Sequence, residues 1–262
     1  MNYIMRDPER VALRGILARR NGDARVLLLT GAPGTGKTAF AEAVAAELGA
    51  FYVYALLHSW SDDQELYQGV NVAAAVAGDA EAVRQPGVLA VAAEKSRQGM
   101  TVLCLDEVDK VQERTEYLLL DFLQTGRVPV RPGVHLQASL PSLLVILTSN
   151  GTRPLSAALL RRCRRVEMQP LPAETVEAIM AERSKTPAGI CHMLRKLAYS
   201  IGERADRTAS LQELCLLAEE AMLAESIQEL GLIVEGWTDI RPDHKTLAPI
   251  WGEIVAQRRR AK

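Results

Sequence analysis

Residues 26–38 read Val26-Leu27-Leu28-Leu29-Thr30-Gly31-Ala32-Pro33-Gly34-Thr35-Gly36-Lys37-Thr38, a short apolar run passing directly into a glycine-rich loop. An alanine-rich segment continues from Thr38 to Leu48 and stops at Gly49. The apolar run predicts a buried strand, and the alanine-rich segment predicts a helix with glycine just past its end. Between them, Gly31-x-x-x-x-Gly36-Lys37-Thr38 has the spacing of a phosphate-binding loop in the context such a loop requires. Gly31, Gly34 and Gly36 let the backbone turn sharply, so that successive N–H groups point at phosphate oxygens. The helix start adds its positive dipole end and its unpaired N–H groups. Lys37 supplies a full charge near the terminal phosphates, and the Thr38 hydroxyl is a candidate Mg2+ ligand. The candidate nucleotide contacts are therefore Gly31, Ala32, Pro33, Gly34, Thr35, Gly36, Lys37, Thr38 and Ala39.

Composition narrows the field. With 262 residues the chain can form one large core, or a main domain and a small satellite. A net charge of −1 gives no chain-wide footprint for nucleic acid or an anionic membrane. Cys104, Cys163, Cys191 and Cys215 lie far apart without a CxxC pair, which suits reduced thiols in a cytoplasmic protein better than a disulfide or zinc framework. The first ten residues hold no apolar core of a secretory leader. Pro132 to Thr152 lacks charge, but Pro141 and its polar residues argue against a membrane span.

Upstream of the loop, Pro8 to Arg20 predicts a helix with Asp7 as its cap, ended by Asn21-Gly22-Asp23. Downstream, Phe51 to Ala55 predicts a second strand, and Ser61-Asp62-Asp63 caps a short helical piece through Tyr67. Gly69 to Gln85 reads as an insertion, after which Pro86-Gly87 opens a helix over Val88 to Gln98. The third strand, Thr101 to Leu105, runs straight into Asp106-Glu107. One reading makes Asp106 or Asp109 the cap of the next helix. With a phosphate-binding loop upstream the balance shifts: Asp106 completes the Mg2+ shell and Glu107 acts as general base on water.

Glu113 to Thr125 predicts a helix closed by Gly126, followed by a hairpin of Arg127–Val130 and Val134–Gln137 around Arg131-Pro132-Gly133. The fourth strand, Leu143 to Thr148, ends at Ser149-Asn150-Gly151. Asn150 is either a turn residue or a group that positions the attacking water or touches the γ-phosphate. Leu155 to Leu160 predicts a short helix leading into Arg161-Arg162-Cys163-Arg164-Arg165, and Val166 to Met168 a brief fifth strand. The basic run reads by itself as a solvated corner or a weak nucleic-acid contact. Pro170-Leu171-Pro172 looks like a hinge. Beyond it, Ala173 to Arg183, Pro187 to Gly202 and Ser210 to Leu230 have helical spacing. After Gly231 the pattern breaks up, with Trp237 and Trp251 as packing anchors and Arg258-Arg259-Arg260 as a frayed, solvated end. The expected fold is an α/β P-loop NTPase domain of three layers around a five-stranded parallel sheet over residues 1–170. A small α-helical lid domain with a C-terminal tail follows over 171–262.

With these segments placed, residues 10–225 or so resemble the AAA+ ATPases, and within them the MoxR-like and dynein-related (McrB-type) branch. GAPGTGKT at 31–38 is similar to Walker A, LCLDEVDK at 103–110 to Walker B, and Asn150 to sensor 1. The insertion at 69–85 and the hairpin at 127–137 resemble the helix-2 insert and pre-sensor-1 hairpin of that branch. LSAALLRRCRRVEMQPL at 155–171 resembles the segment that carries the arginine finger, with Arg162 the best match and Arg161 second. The resemblance implies ATP and Mg2+ as ligands, with Glu107, Asn150, Arg162 and Lys37 catalytic. It also implies a homo-oligomeric ring, in most members a hexamer, because the finger reaches a neighbouring subunit's nucleotide. Gln212 stands where a sensor 2 arginine would begin a lid helix, which leaves Arg207 as a substitute.

Three functions remain open. The first is an ATP-hydrolysing ring that remodels or switches a protein client or adaptor. The second is a DNA-coupled, clamp-loader-like ATPase, because Arg-Arg-Cys also resembles the Ser-Arg-Cys of that group. The third is a nucleotide-binding scaffold with little hydrolysis, against which Glu107 argues. The chain lacks the Asn-Lys-x-Asp motif that reads guanine in GTPases. Adenine contacts are expected before Val26, from Ile4, Val11 or Leu13.

Overall fold

The computed structural model describes residues 3–19, 24–71, 76–78, 83–131, 133–205 and 209–260. The chain divides into two compact units, Met1–Gln169 and Pro170–Lys262. In the first unit the elements run α1 (Asp7–Leu17), β1 (Arg25–Thr30), α2 (Lys37–Glu47), β2 (Phe51–Leu56), α3 (Asp63–Leu66), β3 (Gln68–Val70) and β4 (Arg84–Pro86). There follow α4 (Val88–Gln98), β5 (Thr101–Asp106), α5 (Glu113–Thr125), β6 (Arg127–Arg131), β7 (Val134–Gln137), β8 (Leu143–Ser149), α6 (Ala157–Arg162) and β9 (Arg164–Glu167).

The main sheet has five strands in the order β2-β5-β8-β1-β9, all parallel. Helices cover both faces, and the strand residues alternate between them with period two. Leu27 and Leu29 of β1, Val102 and Cys104 of β5, and Leu144 and Ile146 of β8 pack with α1 and α2 around Phe40. Val26, Leu28, Leu103, Leu105, Val145 and Leu147 pack on the opposite side with α4, α5 and α6 around Phe122. The P-loop NTPase fold expected from sequence is therefore the one observed. Register sets the site: Thr30 lies beside Ser149, Leu105 beside Leu147, and Leu56 beside Asp106, so the strands finish level at one edge. In open parallel sheets that carboxyl edge is where ligands bind.

Several boundaries differ from the sequence expectation. Helix α1 starts at Asp7, with Arg6 rather than Asp7 in the cap position, because the Glu9 carboxylate takes the Arg6 N–H. Helix α6 starts at Ala157 behind the Ser156 hydroxyl cap and so carries both Arg161 and Arg162 in its last turn. The 69–85 insertion is bracketed by an antiparallel ribbon of β3 and β4; residues 72–75 and 79–82 lie outside the described residues, as do Asn21-Gly22-Asp23 and Pro132.

The second unit is helical: α7 (Ala173–Ser184), α8 (Ala188–Ala205), α9 (Leu211–Ala221), α10 (Ile227–Thr238) and α11 (His244–Arg260). Ser210 to Leu230, expected as one helix, is two. Helix α9 ends at Ala221 with Met222 as its cap residue, and Ser226 caps α10 by accepting from the Glu229 N–H. The break is secured from α11, where Arg258 donates to the Met222 and Ala224 carbonyls at 2.6 Å each. Met222 is the C-terminal cap residue of α9, whose carbonyl has no intrahelical partner, and Ala224 lies in the linker to α10. Arg258 is thus a capping group, not part of a frayed end. Nor does the pattern stop at Gly231, since Leu247, Ile250 and Ile254 of α11 are buried in the unit's core with Leu230 and Val234. Trp237 and Trp251 pack against that core, as expected.

Candidate functional site

The loop after β1 is held open by glycine. At Gly31 (φ 148°) a Cβ would lie 2.4 Å from the Met168 carbonyl oxygen, and at Gly36 φ is 91°, a region that L side chains avoid. Gly36 is the N-terminal cap position of α2, so Lys37 and Thr38 open the helix. Lys37 is buried, and its ammonium donates to the Gly31 carbonyl at 2.7 Å and the Ala32 carbonyl at 2.9 Å. Burial pulls its pKa below the usual lysine value, while the Asp106, Asp109 and Glu107 carboxylates pull the other way. The Thr35 hydroxyl donates to the Ala32 carbonyl, fixing the loop's crest, where Ala32, Pro33 and Gly34 are exposed. Ala39 is exposed in the first turn of α2.

Asp106 ends β5 and is 9% exposed. Three hydroxyls converge on its carboxylate. Thr38 donates to Oδ2 at 2.9 Å, Tyr54 of β2 donates to the same oxygen at 3.1 Å, and Thr148 of β8 donates to Oδ1. Partial burial and then the Asp106 charge push the Tyr54 phenol up to about 12, so it stays a donor at neutral pH. Glu107 follows in the left-handed region (φ 59°, ψ 45°), a conformation that costs a non-glycine residue about 1–3 kcal/mol. Two bonds hold it there. Its N–H donates to the Thr148 hydroxyl at 2.9 Å, and its Oε1 accepts from Asn150 Nδ2 at 2.8 Å.

Asp109 is not a helix cap, and neither is Asp106. The residue at the start of α5 is Gln112, and Asp109 instead accepts from the Asn150 N–H (3.3 Å), the Thr152 N–H (2.8 Å) and the Thr152 hydroxyl (2.7 Å). Partial burial alone would raise its pKa, but the Thr152 and Asn150 bonds outweigh that and hold the carboxyl below its usual range. The segment from Asn150 to Ser156 is pinned again one turn on. Arg153 pairs with the buried Glu116, which also takes the Ser156 N–H and thereby fixes the start of α6.

Lys37, Thr38, Asp106, Glu107 and Asn150 thus meet at one sheet edge. Arg162 bonds elsewhere: its guanidinium donates to the Ala158 carbonyl (3.0 Å) and the Gln124 side chain (2.9 Å). Arg161 is exposed. Gln212 is exposed in the first turn of α9, and Arg207 lies outside the described residues. Of the candidate adenine contacts, Leu13 is buried in the α1–α2 core. Val11 lines an open hollow of about 360 Å³, and Ile4 lines another of about 570 Å³. Tyr54, Thr148 and Asp109 were not among the residues singled out for the site. Asp109 alone left a trace in sequence, as a carboxylate three places past Asp106, where it read as a helix cap.

The oxygens fit Mg2+. Thr38 Oγ1 and Asp106 Oδ2 are hard donors 2.9 Å apart, the spacing of neighbouring ligands on an octahedral ion with bonds of about 2.0–2.1 Å. Among the described residues no group of three or more His, Cys, Asp or Glu could hold a metal by itself. Mg2+ does not need one, because substrate phosphates and water complete its shell. Among the described residues no helix is long and apolar enough to cross a membrane. A family model described as AAA domain (dynein-related subfamily) matches residues 26–163, more than half of the 262 residues and the span from the second residue of β1 to just past the end of α6. The chain belongs to that family, the dynein-related AAA domains, which are nucleotide-binding ATPases.

Proposed function

We propose that this chain hydrolyses Mg2+-bound ATP as one subunit of a homo-oligomeric AAA+ ring, of the MoxR-like or McrB-type branch, that remodels or switches a protein partner in the cytoplasm. The observation that carries the reading is the Thr38–Asp106 contact at 2.9 Å, with Glu107 and Asn150 bonded beside it. The backbone N–H groups between Gly31 and Ala39, Pro33 excepted, and the α2 dipole hold the phosphates, and Lys37 places its charge on the terminal ones. Thr38 and Asp106 hold Mg2+, whose contribution is to neutralise charge on the transferred phosphoryl. Glu107 takes the proton of the attacking water, and Asn150 fixes the carboxylate that does so.

Arg162 acts on the neighbouring subunit's nucleotide. What supports this is its setting: at the end of α6 it bonds only a carbonyl and a neutral amide, with no carboxylate partner among the described residues. A guanidinium so placed keeps its charge available for an anion outside its own chain. The ribbon-bracketed insertion and the β6–β7 hairpin support the branch assignment. The test is specific ATPase activity against protein concentration. Activity that rises with concentration to a plateau supports a shared site, and activity flat across a thousandfold range overturns the ring mechanism.

A further inference from the structure

Ahead of α1, the side chains of Tyr3, Arg6 and Glu9 form a clamp on the outer side of the glycine-rich loop. Glu9 is 2% exposed, and its carboxylate takes the Arg6 N–H (2.9 Å), the Tyr3 hydroxyl (3.0 Å) and Arg6 Nε. Capping α1 needs only the first of these, and any residue but proline at position 6 would provide it. The Arg6 guanidinium goes further. Its Nη2 donates at 3.1 Å to the Thr35 carbonyl, 29 residues away, and its Nη1 donates to the Gln169 carbonyl, 163 residues away. The Tyr3 ring packs edge-on against Phe40, 5.8 Å between centroids, and lies against Gly36.

We infer that Arg6, held by Glu9, is a positioning residue for phosphate binding: it sets the orientation of the Thr35–Gly36 peptide. The Thr35 C=O and the Gly36 N–H are opposite ends of one planar trans unit. Anchoring the carbonyl on Arg6 turns the Gly36 N–H away from Arg6, as a donor to phosphate must be turned. Glycine at 36 lets the backbone accept that orientation, at φ 91°. The second fork of Arg6 ties the same loop to Gln169, next to the Met168 carbonyl on which Gly31 rests. Both ends of the loop are thus fixed to the exit of β9. A buried carboxylate keeps the fork aimed, since a charge-assisted bond of this kind loses little side-chain freedom once formed.

This inference rests on the reading of residues 31–39 as a phosphate cradle, and the experiment separates the two. Titrate a fluorescent ATP analogue into wild type, R6K, E9Q, R6K/E9Q and K37A, and record the unfolding midpoint of each without ligand. R6K keeps a cation beside Glu9 but lacks the planar fork whose three separate nitrogens reach Glu9, Thr35 and Gln169 at once. Its affinity should fall about tenfold, the worth of one orienting hydrogen bond, with KM rising alike and kcat at saturating ATP nearly unchanged. E9Q should weaken binding in the same direction. The double variant should be no weaker than R6K, because both changes disable one device. Wild-type affinity in R6K, or a loss matched by an equal drop in unfolding midpoint, overturns the positioning role. If K37A binds as wild type does, the cradle reading itself fails.

Discussion

Both units bury polar side chains, yet they use them differently. In the first unit Lys37, Asp106 and Thr148 are buried at or just beyond the ends of three neighbouring strands, and the Thr38, Tyr54 and Thr148 hydroxyls converge on the Asp106 carboxylate. In the second unit Thr186, Arg195 and Thr238 are buried, but their bonds lie within the helical unit, with no strand ends to bring them to one carboxylate. Thr186 donates to the Ala218 carbonyl, Thr238 to the Val234 carbonyl one turn back, and Arg195 to Glu177. Burial of polar groups therefore does not mark a site. Convergence from separate strands onto one carboxylate does, because it assembles oxygens with lone pairs to spare for a cation.

If that contrast is right, changes at the strand ends should cost turnover without stability, and changes among the helices should do the reverse. The largest effect is expected away from the strand ends, at the proposed shared site: R162A should lower the plateau ATPase rate about 10^3-fold or more while leaving ATP binding and the unfolding midpoint near wild type. E107Q should come next, with turnover down about 10^2- to 10^4-fold and bound ATP retained. An equal loss of stability in E107Q would break the comparison. On the helical side, L194A empties a fully buried position in α8 and should cost about 2–5 kcal/mol in denaturant unfolding. D109N sharpens the contrast from inside the first unit. It weakens the bonds that hold Asn150 and Thr152, and should lower kcat about tenfold with little change in ATP affinity.

The smallest effect is electrostatic and belongs to the second unit. The Glu177 carboxyl meets a desolvation cost that would raise its pKa, but bonds from Arg195 (2.6 Å) and His192 (2.9 Å) prevail and hold it below the ordinary 4.5. A carboxyl depressed on folding contributes stability above its unfolded pKa and loses it as pH falls through the folded value. Wild type should therefore exceed E177Q by no more than about 1 kcal/mol near neutrality, and the gap should close as pH falls below 4.5 and through the lower folded value. A difference that does not shrink as pH falls below 4.5 would mean the contact is steric.

The glycine-rich loop and the Asp106–Glu107 pair were legible in sequence because each is a local string whose chemistry lies within a few residues. The sheet was legible because strands buried on both faces leave uninterrupted apolar runs. Thr148 and Tyr54 were hidden for the opposite reason. Their hydroxyls reach Asp106 through parallel register, which places Thr148 beside the end of β5 and β2 on its other flank. Asp109 was visible as a carboxylate after a strand, but its partners lie on a different strand's exit, so the local reading as a cap was wrong. Arg6 carried no signal of its own in sequence, since nothing in the string announces Thr35 and Gln169. Helix α11 was masked by Pro249 and Gly252, although Leu247, Ile250 and Ile254 keep helical spacing across them.

The account depends on one cation being gripped by Thr38 and Asp106 together with ATP. Calorimetric titration of ATP into wild type and D106N, each with and without Mg2+, measures the gain in affinity that the metal brings. Wild type should show a clear gain and D106N should lose most of it while still binding metal-free ATP. An identical gain in the two proteins would place the metal elsewhere and contradict the assignment.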